Sequence, residues 1–270
     1  MSTSSLVGEV DRLVGLLRQG KPIELGAIPW ASPVLAFGDP MRSRIATLGL
    51  NPSNLEFVDN RGRPLLAPHH RFESLTTLDA EDWSDVAKQG VRKVWQACED
   101  YFLRNPYDQW FKRLEKILID TGSSYYSSLG DRACHLDLVP FATGRKWSEL
   151  SSNERVQLID LGAPSLAKAV RASEIRVLVL NGSAVVREFN RIVPDGALNA
   201  LSMPSWSLQG GRVTGIAHLG RTTRLGSLKL DRELLVLGYN HNIQSSFGVT
   251  AEVVSRIADW VGQRAREVLQ

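Results

Sequence analysis

Four short apolar runs punctuate the chain, at residues 44–50, 134–139, 176–180 and 233–239. Runs this short and this evenly apolar read as strands buried on both faces, the kind found in parallel sheets. Between and around them lie stretches with apolar residues at helical spacing. One carries Val91, Val94, Trp95, Cys98 and Phe102, and a second carries Phe111, Leu114, Ile117 and Leu118. Asn105-Pro106 marks the break between those two, and two more helical patterns cover residues 154–170 and 251–268. Strands alternating with helices imply an α/β fold, three layers deep (α/β/α), around a central, mainly parallel sheet. An amphipathic helix carrying Leu6, Val10, Leu13, Val14 and Leu17, stopped by Gly20, precedes this core. With no internal repeat or linker, the reading is a single domain over residues 1–270: helix and lead-in in 1–43, α/β core in 44–270.

In open parallel sheets, ligands sit at the carboxyl ends of the strands. Three of those ends are rich in chemistry: Asn51-Pro52-Ser53, Pro140-Phe141-Ala142-Thr143 and Asn240-His241-Asn242. They are far apart in sequence, yet this fold brings them to one rim. The net charge of +3 favours a polyanionic partner only mildly. The two cysteines, Cys98 and Cys134, cannot form a four-thiolate metal site, and a disulfide scaffold is not expected of them. No histidine spacing suggests a metal site, so no metal or other cofactor is expected. No signal-peptide pattern and no apolar run of about 18 residues is found, and the expectation is a cytoplasmic monomer with no membrane contact.

The segment Leu48-Gly49-Leu50-Asn51-Pro52-Ser53 resembles the first motif of the uracil-DNA glycosylase superfamily, closest to its Gly-x-Asn-Pro mismatch-specific and single-strand-selective branch. The run 235–247 resembles the last motif, a strand ending in a His-bearing loop that opens the final helix, and 177–182 resembles the third strand with its glycine turn. The resemblance covers roughly residues 44–270, in the right order. Two departures stand out. His241 is followed by Asn242-Ile243 where the family usually has proline and serine. Asp137 is the polar candidate where the family often offers an asparagine to read uracil. An ionised aspartate only accepts hydrogen bonds, which suits a base with exocyclic N–H donors, such as a cytosine derivative, better than uracil.

The resemblance implies a DNA glycosylase that hydrolyses the N-glycosidic bond of a flipped-out pyrimidine and leaves an abasic site. Uracil, a mispaired pyrimidine, and a modified or glucosylated cytosine are the candidate bases. The setting is base repair or antiviral defence against phage DNA with modified bases. Such chemistry needs a positioned water, a partner for the departing anion and a hold on the extruded base. By resemblance Asn51 orients the water; as a bare turn signal it equally caps Pro52. Glu56 and Asp59 are carboxylates that could activate water or offset sugar charge, Glu56 the better placed, and His241 is the candidate electrophile. Pro52, Ser53, Phe57, Phe72 and Asp137 complete the substrate-binding candidates, the two phenylalanines as stacking partners or as buried loop anchors. Lys146 is the one lysine near a strand end where a Schiff base could form.

For DNA, Arg221 and Arg224 stand in a basic stretch suited to phosphates, while Asn242, Gln244, Ser245 and Ser246, with Phe247, sit in the last loop where a base would leave. His69, His70 and Arg71 offer further phosphate contacts, and His135 reads as a satisfied core residue. Two other readings stay open: a catalytically inactive nucleic-acid-binding protein of the same fold, and a hydrolase of small nucleosides or nucleotides.

Overall fold

The computed structural model describes residues 3–105, 108–127, 132–193, 198–244 and 248–269. The helices are α1 (Thr3–Arg18), α2 (Lys21–Glu24), α3 (Lys88–Glu99), α4 (Tyr101–Arg104), α5 (Gln109–Leu118), α6 (Ser152–Ala172), α7 (Ser183–Ile192) and α8 (Ala251–Leu269). The strands are β1 (Ser43–Gly49), β2 (Arg132–Asp137), β3 (Val177–Asn181), β4 (Asn199–Ser202), β5 (Ile216–Leu225) and β6 (Leu228–Tyr239).

They form one six-stranded sheet in the order β2-β1-β3-β6-β5-β4. The pairs β1–β2, β1–β3 and β3–β6 are parallel, and β5 and β4 extend the sheet antiparallel. The four parallel strands are the four apolar runs of the sequence. Residues of β1 and β3 are buried almost throughout, so both sheet faces are covered. On one side α6 lies against β5 and β6, with α1 and α3 packed beyond it; α8 lies against β3 and β6 and carries α5. This arrangement is α/β, mostly parallel, and compatible with three layers.

Helix α1 buries Leu6, Val10, Leu13, Val14 and Leu17, the face its spacing predicts. It also buries Glu9, whose carboxylate accepts from Arg12, Ser165 and Lys168 and so ties α1 to α6 without an unpaired charge. The lead-in is part of the core rather than a tether. Val34 donates to Pro140 O, and Phe37 and His135 exchange backbone hydrogen bonds, which covers the outer edge of β2.

Strand β5 lies in a region that reads from sequence only as a basic stretch, and β4 precedes it; β4 is exposed throughout and the burial of β5 is irregular, so no apolar run marks either.

Candidate active site

The carboxyl ends of β1, β2 and β3, joined by the loop after β6, surround a cavity of about 860 Å³. Gly49, Asn51, Asp137 and Asn181 line it from the strand ends, and Asn242 and Gln244 from the last loop. The size is within the roughly 300–1,000 Å³ usual for sites that take small organic molecules or their fragments.

Asn51 follows β1 directly. Its Nδ2 donates to Thr143 Oγ1 (3.1 Å), Pro52 O (3.2 Å) and Phe141 O (3.4 Å). Three acceptors on the amide nitrogen fix the side chain's orientation, with two of them supplied by the rim loop after β2. Among the described residues none donates to Oδ1, so that carbonyl is open to a cavity ligand or a water. Pro52 and Ser53 also line the cavity, and Ser53 Oγ accepts from Leu55 N to start the turn Asn54–Glu56.

That turn delivers Glu56, which is buried yet lines the cavity. Its Oε2 accepts from Tyr101 OH (2.8 Å) and from Arg71 Nη1 (3.3 Å). The same Arg71 nitrogen donates to Asp108 Oδ2 (3.1 Å), while Asp108 Oδ1 caps α5 at Trp110 N and Phe111 N. Burial raises the Glu56 carboxyl and outweighs the nearby Arg71 charge and the Tyr101 hydrogen bond, leaving it at about 7. The Tyr101 phenol, held well above its ordinary value by burial and by Glu56, stays a donor. Asp59 also lines the rim, but its carboxylate is committed to the backbone of Arg61 and Arg63 and to the Arg63 guanidinium, which hold it below its ordinary value.

Asp137 and His135 stand two residues apart on β2 and thus on one face. His135 Nε2 lies 3.4 Å from Asp137 Oδ1, and His135 Nδ1 lies 2.7 Å from Thr47 Oγ1 on β1. Gly49 pairs with Asp137 across the sheet, and a Cβ there would collide with Asp137 Oδ1 and come within 2.9 Å of His135 Nε2. The glycine is what lets the carboxylate lie over β1. Beyond β3, Gly182 at φ 94° turns the chain into α7. No side chain caps that helix, and its first residues, Ser183 to Val185, face the cavity with the amide-rich, partially positive end of the helix.

Several sequence-predicted residues lie elsewhere. His241 is buried and its Nε2 bonds Trp206 O at 2.7 Å; it does not line the cavity, because its ring turns back onto the Pro204–Trp206 turn. The histidine at the cavity is His135, read from sequence as a core residue. Phe57 and Phe72 are each 2% exposed, packed against each other and against Trp30, Phe37 and Tyr101. They anchor the loop. The aromatic surface at the cavity is Trp110, 39% exposed, edge-on to His135 at a centroid distance of 5.3 Å.

Arg221 and Arg224 are on β5, opposite Leu235 and Lys229 of β6. At about 3.4 Å per residue those positions are roughly 14 and 34 Å along the strand from Tyr239 at its cavity end. Arg221 pairs with Glu233 at 2.7 Å, and Arg224 bonds Ser227 O within its hairpin. Lys146 does not line the cavity. Ser245 and Ser246, with Phe247, lie outside the described residues.

Sequence reasoning passed over His135, Tyr101, Asp108 and Trp110. One signal was present: His135 and Asp137 are two polar residues at strand spacing, on one face of an otherwise apolar run, opposite a glycine. No family model matches this chain, and no curated protein matches it. The fold and the site therefore define it only as an α/β protein with a ligand cavity at the carboxyl ends of its parallel strands.

Proposed function

We propose that this protein is a DNA glycosylase of the uracil-DNA glycosylase type, hydrolysing the N-glycosidic bond of a pyrimidine turned out of the DNA stack. The observation that carries the reading is one cavity holding both Asn51, with its amide nitrogen tied and its carbonyl free, and Glu56, at about 7. These suit the two tasks of the reaction. The Asn51 carbonyl orients a water toward the anomeric carbon, and ionised Glu56 takes the proton that the water loses. The C1′–N bond breaks with its electron pair leaving on the base, a C1′–O bond forms, and the base is protonated as it departs. Negative charge growing on the base finds N–H donors at His135 and at the start of α7. Trp110 offers a face on which a heterocycle can stack.

The cavity exceeds what an unsubstituted pyrimidine fills, and its lining includes Asn60 and Gln109, side chains that hydrogen-bond hydroxyls. This supports a modified cytosine, including a glucosylated one, alongside uracil and mispaired bases as substrate candidates. Such a substrate fits defence against phage DNA with modified bases as well as repair.

The test is a gel assay of the purified protein on labelled DNAs, each with one base: uracil, a thymine mispair, hydroxymethylcytosine or its glucosylated form. Alkali reveals abasic sites. Cleavage of one substrate that vanishes in Asn51→Ala supports the reading. Cleavage of none, with salt-sensitive binding retained, replaces it with a binding protein of this fold.

A further inference from the structure

We infer that the protein carries a second ligand site, a phosphate-binding cavity between α1 and α6, apart from the candidate active site. The cavity measures about 320 Å³ and is lined by Ser5, Gly8, Glu9 and Arg12 of α1 and by Lys168 and Arg171 of α6. Lys168 and Arg171 lie in the last turns of α6, which leads into the amino end of β3. Asn181, at the carboxyl end of β3, lines the other cavity.

Three cationic side chains around one carboxylate decide the class of ligand. Glu9 is 3% exposed and fully engaged. Its Oε1 accepts from Arg12 Nε and Ser165 Oγ, and its Oε2 accepts from Lys168 Nζ, each at 2.7 Å. One negative charge does not neutralise three positive ones, so the cavity keeps an excess that attracts anions and repels cations. The carboxylate also holds the Arg12 and Lys168 heads in place, so less side-chain freedom is lost when an anion arrives. Both heads keep N–H groups beyond those that Glu9 and Ser165 accept.

Arg171 is the independent sign of a ligand. It is half-buried, lines the cavity and, among the described residues, makes no hydrogen bond or ion pair. A guanidinium partly withdrawn from water without a counter-charge is unfavourable, and its planar fork fits an oxyanion bidentately. The carbonyls at the end of α6 do not serve as its partners, because Arg232 donates to those of Val170 and Ser173.

Gly8 keeps the space open. It stands inside α1, where glycine costs about 1 kcal/mol relative to alanine. Packing does not require it, since a Cβ there would meet no atom within 4 Å. The missing side chain leaves the α1 wall of the cavity low. At about 320 Å³ the space is at the lower end of the range for small-molecule sites. It suits inorganic phosphate or a small phosphomonoester. A nucleic-acid backbone, with its succession of phosphates, needs a longer track of cations.

Calorimetric titration at constant ionic strength, with inorganic phosphate and glycerol phosphate as probes and chloride as the reference anion, tests this. The wild-type protein is expected to bind both probes with a Kd of about 1 mM or tighter. Arg171→Ala removes a group with no partner in the protein, so it should melt as wild type does and bind at least about tenfold more weakly. Gly8→Leu fills the cavity without touching a charge, and leucine is the better helix former. Its melting temperature should be equal or higher, and its affinity for both probes at least about tenfold lower. No binding to wild type at about 10 mM phosphate, or undiminished binding in either variant, overturns the site. Titration with duplex DNA separates the sources of phosphate. Both variants should keep DNA affinity within about twofold, whereas a tenfold loss with a flatter salt dependence would replace the small ligand with the nucleic-acid backbone. Base release should be unchanged in both variants, so this site and the glycosylase reading stand or fall separately.

Discussion

The parallel half of the sheet and its antiparallel extension handle polar residues in opposite ways. At the ends of β1, β2 and β3, polar side chains are buried or half-buried around a cavity, and two keep capacity for a ligand: Asn51 Oδ1 and Asp137 Oδ2. Along β5 and the hairpin end of β6, several charged residues are already engaged. Arg221 is paired with Glu233, and Arg232 closes the end of α6 by donating to the carbonyls of Val170, Ser173 and Ile175. The extension holds the layers together, and the parallel half offers chemistry. A basic stretch in sequence therefore did not mark the cavity, whose walls instead carry polar groups with unmet hydrogen-bonding capacity at the strand ends.

Four variants sharpen that contrast. Asn51→Ala should lower base release by about 10³-fold, on the scale of losing a positioning group in a hydrolytic site, measured as abasic-site formation in single turnover. An effect below tenfold would move the water-positioning role off the β1 end.

Glu56→Gln should lower the rate by about 10²-fold and remove the rise in rate through pH 7 that ionisation of the wild-type carboxyl produces. It should also change stability with a definite sign. Between 4.5 and about 7 the folded protein keeps a proton that the unfolded chain has released, so wild-type stability falls as pH rises through that window. At about 1.4 kcal/mol per pH unit the fall amounts to at most about 3.5 kcal/mol. Denaturant titrations at pH 4 and pH 8 should show the slope in wild type and a flatter profile in the variant. A slope of the opposite sign would mean that the Arg71 contact, and not burial, governs Glu56.

Arg232→Ala should leave base release unchanged within about twofold and cost about 2 kcal/mol of stability, since its charged hydrogen bonds close a helix end. The smallest effect is expected of the double change Arg221→Ala, Arg224→Ala: stability within about 1 kcal/mol and DNA affinity within about twofold. A tenfold loss of affinity there, with a flatter salt dependence, would place DNA on the extension and erase the contrast.

Much of the architecture was legible because its signals are local. The spacing of Leu6, Val10, Leu13, Val14 and Leu17 is a helix face whatever it packs on. The runs ending at Asn51 and near Asp137 are buried strands by composition alone. Asn51, Glu56, Asp59 and Asp137 were found because strand ends and the turns after them are where such a fold presents polar groups, and all four do line the cavity.

What sequence alone determined, then, was the α/β class, the four parallel strands with the main helices around them, and the rim that carries the cavity. Which side chains face that rim was decided by tertiary structure. Pairing of Thr47 with His135 and Gly49 with Asp137 aims the β2 histidine at the cavity, whereas the Pro204–Trp206 turn draws His241 away. Packing of the 54–79 loop buries Phe57 and Phe72 while the start of α5 leaves Trp110 open. The physical reason is range: periodicity reports which face of an element is apolar, but where a polar side chain points depends on register and docking with residues distant in sequence.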